Sequence, residues 1–107
     1  MNFATLQQEV REWADRNFDT TDHWDALMGV VEEVGELAHA ELKMKQGIRG
    51  VSLDHLVARN DAVGDIMVYL ADYCGRAEID MDAVVTATWN QVKERDWKKH
   101  QKDGTTQ

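Results

Sequence analysis

Residues 62–71 read AVGDIMVYLA, and Asp65 is the only charge in the run. The stretch is long and apolar enough for the buried face of a helix. A carboxylate taken out of water there costs several kcal/mol (order of magnitude) unless something compensates it. Upstream, residues 30–42 read VVEEVGELAHAEL, where Glu32, Glu33 and Glu36 interrupt an apolar stripe. Two separate segments thus place acid where packing alone favours Leu or Val. A divalent cation held between two helices is the simplest physical reason for both.

Working outward, the chain reads as all-α. It has 107 residues, no proline and no alternating strand pattern. That length suits one domain with a single core. Phe3, Leu6, Val10, Trp13 and Ala14 recur at spacings of three and four, which predicts a helix over 4–17. Asp22 is placed to cap a second helix over 23–45, with the stripe Leu27, Val30, Val31, Val34, Leu37, Ala38 and Leu42. Gly47 ends it. Ser52 or Asp54 caps a third helix over 53–73, ended by Gly75. Asp80 caps a fourth over 81–99, with Met81, Val84, Val85, Thr88, Trp89 and Val92 inward. A polar tail begins near 101. Short connections between four amphipathic helices predict a four-helix bundle-like architecture. The third helix is apolar nearly all round between 62 and 71, so it should be covered on more than one side. In so short a chain, this favours an oligomer.

Composition narrows the function. Twelve Lys and Arg against twenty Asp and Glu give a net charge of −8. Such a surface is ill suited to sequence-independent nucleic-acid or anionic-membrane binding. A polyphosphate substrate stays compatible, because a bound cation reverses the local field. No segment has transmembrane length and none reads as a secretion signal, so a cytoplasmic location is expected. The single cysteine, Cys74, follows an apolar run and reads as a small buried side chain.

On a helix, residues three or four apart are neighbours, so Glu32, Glu33 and Glu36 cluster over one turn and Asp61 and Asp65 share a face. Like charges about 4 Å apart repel by roughly 1 to 4 kcal/mol per pair. No Lys or Arg lies within four positions of Glu32 or Glu33. Hard oxygen donors without thiolate suit Mg²⁺, with Mn²⁺ as a substitute. Lys43 follows Glu36 by two turns, and Asn90, Lys93 and Arg95 lie near the end of the fourth helix. These four are candidates for holding phosphate oxygens or a sugar; cations at a helix C-terminus also offset its dipole. Trp24 either stacks on a base or anchors the core.

These residues resemble the MazG-like members of the all-α nucleoside triphosphate pyrophosphohydrolases. That family carries a Glu-Glu-x-x-Glu helix followed by a Glu-x-x-Asp helix. The first half stands here as Glu32-Glu33-Val34-Gly35-Glu36. The second stands as Asp61-Ala62-Val63-Gly64-Asp65, about 25 residues on. The resemblance covers roughly 22–99. It departs at Ala62, where the pattern has Glu; Asp61 is the nearest acid. The resemblance implies hydrolysis of a (deoxy)nucleoside triphosphate between its α and β phosphates, giving a monophosphate and pyrophosphate. It implies Glu33, Glu36 and Asp65 as Mg²⁺ ligands, with Glu32 and Asp61 completing the shell or orienting the attacking water. It also implies a homodimer or homotetramer whose neighbouring subunits complete the pocket.

Two other classes compete. Di-iron carboxylate bundles carry Glu-x-x-His on two helices, and Glu36-Leu37-Ala38-His39 supplies one copy. A non-catalytic acidic interaction or regulatory module accounts for the charge and for assembly, but not for Asp65.

Overall fold

The computed structural model describes residues 1–19, 22–99, 102 and 104. It comprises α1 (Phe3–Asn17), α2 (His23–Gln46), α3 (Ser52–Arg76) and α4 (Met81–Val92). Among the described residues there is no strand. The all-α expectation is met. Most of the tail expected from 101 lies outside the described residues. Its Gly104 is buried, and the Gly104 carbonyl accepts a hydrogen bond from the Asp96 amide at 2.6 Å.

Local chemistry explains most helix ends. The Asn2 side chain accepts from the Thr5 amide, Asp22 from the Trp24 amide, and Asp80 from the Ala83 amide. Each satisfies an amide that has no partner within its helix. Gly47 adopts the left-handed conformation, φ 68°, and its amide closes on the Lys43 carbonyl, a turn that glycine enters without steric cost. Three boundaries differ from expectation. Neither Ser52 nor Asp54 caps α3: Val51 holds that position with no side-chain bond. The helix runs through Gly75 to Arg76, since one internal glycine weakens a helix without breaking it. Finally, α4 stops at Val92 rather than near Lys99.

The centre of the fold is the α2/α3 hairpin. α1 packs along α3, while α4 touches α1 and α3; α2 makes no close backbone approach to α1 or α4. One chain therefore does not close into a bundle. The radius of gyration is 17.5 Å, against about 13 Å for a compact chain of this size. A small core of Val10, Ala71, Cys74 and Met81 sits where α1, α3 and α4 meet, with Phe3, Leu6 and Leu70 packed on it. The Gln7 side chain ties α1 to the start of α4. It donates to the Ile79 carbonyl at 2.6 Å and accepts from the Met81 amide at 3.0 Å.

This openness overturns several burial expectations. Because α2 has one partner helix, it covers one face. Ala26 and Ala40 are buried against α3, whereas Val31, Val34 and Leu42 of the expected stripe are exposed. On α4 only Met81 is buried, with Val85 half-buried; Val84, Trp89 and Val92 face outward. Trp24 is 60% exposed and does not anchor the core. All four tryptophans are at least 44% exposed. Cys74 is buried as expected, and burial pushes its thiol pKa up.

Candidate functional site

The hairpin brings the two acidic motifs together. Asp65 of α3 stands close enough to Glu33 of α2 for its charge, with those of Glu32 and Glu36, to act on Glu33. Partial burial and then these three carboxylates, Asp65 first, raise the Glu33 pKa above its ordinary 4.5. Glu33 is half-buried, as its place beside Val30 and Leu37 predicts, while Glu32, Glu36, Asp61 and Asp65 are exposed. The burial expected for Asp65 is not met within one chain, because α3 has neighbours on two sides and Asp65 points between them to water. Among the described residues, none of these five carboxylates has an ion pair or hydrogen bond.

The donor chemistry fits a hard divalent cation: all oxygen, without an ion-paired cation among the described residues, and with the proton affinity of Glu33 raised by burial and then by its acidic neighbours. The side chains are not gathered on one point, however. Among the described residues, no three His, Cys, Asp or Glu converge as a ligand set. Ala62, at the position where the resemblance expects Glu, is 2% exposed, packed inside the hairpin. A longer acidic side chain there would displace that contact. Asp61 is exposed and does not act on Glu33. His39 is exposed as well.

The expected substrate residues stand apart from the carboxylates. Lys43 is 9% exposed, and its ammonium donates to Gln46 Oε1 at 2.9 Å. It lies about 15 Å along α2 from Glu33, at 1.5 Å per residue. Asn90, Lys93 and Arg95 are exposed at the far end of α4, which does not approach α2. Trp24 stacks on His23 at 5.8 Å, two turns before Glu32.

Sequence reading missed an aromatic cleft beside Asp65. One hollow of about 180 Å³ is lined by Trp13, Phe18, Asp65, Val68, Tyr69 and Asp72. A second, of about 250 Å³, shares Phe18, Tyr69 and Asp72 with it and continues to Asp22, Asp25, Ala26 and Arg76. Trp13 and Phe18 meet edge to face at 5.4 Å. At its inner end Arg76 Nε donates to Asp72 Oδ1 at 2.8 Å, with both side chains nearly buried. Helical spacing placed Trp13 in a packing stripe and ended the first helix at 17, before Phe18. Their convergence with Tyr69 depends on how the chain turns after α1, which periodicity does not encode. The one local signal was the Asp65-to-Tyr69 spacing of four, which puts both on one face of α3.

No family model, no curated protein and no solved structure matches the chain. Its functional reading rests on this geometry and on the sequence resemblance.

Proposed function

We propose that the protein is a Mg²⁺-dependent nucleoside triphosphate pyrophosphohydrolase that works as a homo-oligomer. The observation that carries this reading is the double position of Asp65. It belongs to the uncompensated carboxylates of α2 and α3, and it lines the cleft walled by Trp13, Phe18 and Tyr69. A nucleotide needs both environments side by side: flat aromatic surface for its base, and hard oxygen donors for the cation that accompanies its phosphates.

In this reading Glu33, Glu36 and Asp65 hold Mg²⁺, which when bound supplies charge neutralisation at the phosphoryl oxygens. Glu32 and Asp61 orient a water toward the α-phosphorus, and a carboxylate takes its proton. The new oxygen–phosphorus bond forms as the bond from the α-phosphorus to the α–β bridging oxygen breaks. Pyrophosphate leaves and the monophosphate remains. No protein nucleophile enters, consistent with a Cys74 thiol that is buried and hard to ionise.

The uncovered apolar side chains of α2 and α4, among them Val31, Val34, Leu42, Val84 and Trp89, support assembly, since contiguous exposed apolar surface marks an interaction site. A second copy also offers the route by which Asn90, Lys93, Arg95 or Lys43 would reach the phosphates. A panel of ribo- and deoxyribonucleoside triphosphates with Mg²⁺, resolving pyrophosphate from orthophosphate, tests the reading. Pyrophosphate release that is lost with EDTA and in Glu36→Gln is expected. Orthophosphate release, or no turnover by folded protein, overturns it. The same apolar surface favours one second reading, a non-catalytic interaction module. In that case Asp65→Asn alters assembly and no hydrolysis is found.

A further inference from the structure

Gly29, Gly35 and Gly64 all stand inside the α2/α3 pair, yet they differ in what surrounds them. A Cβ at Gly35 or Gly64 meets nothing within 4 Å, whereas one at Gly29 would overlap Cδ1, Cε1 and Cζ of Tyr69. Glycine weakens the middle of a helix relative to alanine. At position 29 it admits something in return: the Tyr69 ring lies directly on the α2 backbone.

The place of this contact gives it a bearing on the cleft. Gly29 precedes Glu33 by one turn, and Tyr69 follows Asp65 by one turn. Tyr69 lines both hollows, Gly29 lines neither, and the ring is 39% exposed. The ring therefore stands between the α2 backbone and the open space, so a ring pushed off residue 29 moves into that space. Carbon atoms in ordinary contact are about 3.5 to 4 Å apart, so a side chain at 29 displaces the ring by about 1 Å. A misplacement of about 1 Å in a binding site can cost on the order of 100-fold.

Resting on the reading of the cleft as the seat of a nucleotide base, we propose that Gly29 is a positioning residue for the substrate. Having no Cβ, it lets Tyr69 fold back onto α2, which keeps the slot between Tyr69 and the Trp13–Phe18 pair open to a planar ring. Gly29 does not touch the base; it acts through Tyr69.

Adenosine is the probe, because its binding needs neither metal nor turnover. Its affinity is measured by equilibrium dialysis on the full chain, with circular dichroism checking the helices of each variant. Gly29→Ala should bind at least about tenfold more weakly than wild type. Gly35→Ala, the same change on the same helix but into open space, should stay within about twofold. Tyr69→Phe keeps the ring and should stay close to wild type, whereas Tyr69→Leu should lose about tenfold or more, the scale of one base–aromatic stack. In triphosphate turnover Gly29→Ala should raise KM and leave kcat within about twofold, whereas mere loss of folded protein lowers kcat at unchanged KM.

Wild-type affinity in Gly29→Ala or in Tyr69→Leu, equal losses in Gly29→Ala and Gly35→Ala, or a lowered kcat at unchanged KM overturns the assignment. If Gly29→Ala does not fold, the double variant Gly29→Ala/Tyr69→Leu should fold, and its failure to do so overturns the contact. No adenosine binding in a protein that releases pyrophosphate overturns this inference and leaves the hydrolase intact; the expected order of affinities in a protein that hydrolyses nothing does the reverse.

Discussion

The ring of Tyr69 lies against the backbone of Gly29, so close that a Cβ at residue 29 would overlap its Cδ1 and Cε1 atoms. This contact joins α2 to α3 one turn from the Glu33–Asp65 pair, and Tyr69 lines both parts of the cleft. Gly29→Ala gains about 1 kcal/mol of helix propensity but forces the ring aside, at a cost of about 1 to 3 kcal/mol for overpacking. A net fall in melting temperature is expected. The double variant Gly29→Ala/Tyr69→Ala should recover part of it relative to Tyr69→Ala alone. Strictly additive losses would mean that the two residues do not share this contact.

Gly35 and Gly64 behave differently. A Cβ at either meets nothing within 4 Å. In the single chain, alanine at each position stabilises its helix by about 1 kcal/mol. A lowered melting temperature, or a shift in sedimentation toward smaller species, would instead show that a second copy packs closely over these glycines.

Glu33 sets a pH dependence. Its folded-state pKa is raised above 4.5 by burial and by Asp65, Glu32 and Glu36. The native state therefore holds more protons than the unfolded chain in the window above that value. Stability falls as pH rises through the window and stays lower at neutral pH. Glu33→Gln should raise the melting temperature at pH 7 and flatten the profile between pH 4.5 and 7. Millimolar Mg²⁺ should stabilise the wild type at pH 7 and the variant less. A variant less stable than wild type throughout the range would contradict the crowding of charge at this position.

Arg76 and Asp72 form the tightest ion pair among the described residues, at 2.8 Å with side chains 5% and 12% exposed. Asp72→Ala removes the charged hydrogen-bond partner of Arg76 Nε at a nearly buried site, a loss of about 1.5 to 3 kcal/mol. Chemical denaturation should show this as a lower midpoint with little change in slope. A loss well under 1 kcal/mol would indicate that water reaches the pair.

Gln7 offers a separate check on how α4 is held. Gln7→Ala removes both bonds to the α3–α4 connection, a loss of about 1 to 3 kcal/mol. Hydrogen exchange should rise first at the Met81 amide, ahead of α3. Uniform exchange across the chain would argue that the four helices unfold as one unit.

Periodicity and caps determined the helices. Asp22, Gly47 and Asp80 stop and start them through bonds to residues within four positions, so the relevant physics lies inside a short window of sequence. The acidic motifs were legible for the same reason, and the hairpin joins them because α2 and α3 are consecutive and antiparallel. The sequence did not determine which apolar face a helix covers. Val31, Val34 and Trp89 satisfy a core pattern as well as Ala26 and Ala40 do, but burial depends on which partner arrives and from which side. Only the tertiary structure decided that α2 packs on α3 alone, that Lys43 and the end of α4 stand away from the carboxylates, and that Trp13, Phe18 and Tyr69 converge beside Asp65. Those contacts join distant segments, and their energies depend on shape and approach, which no local pattern of residues records.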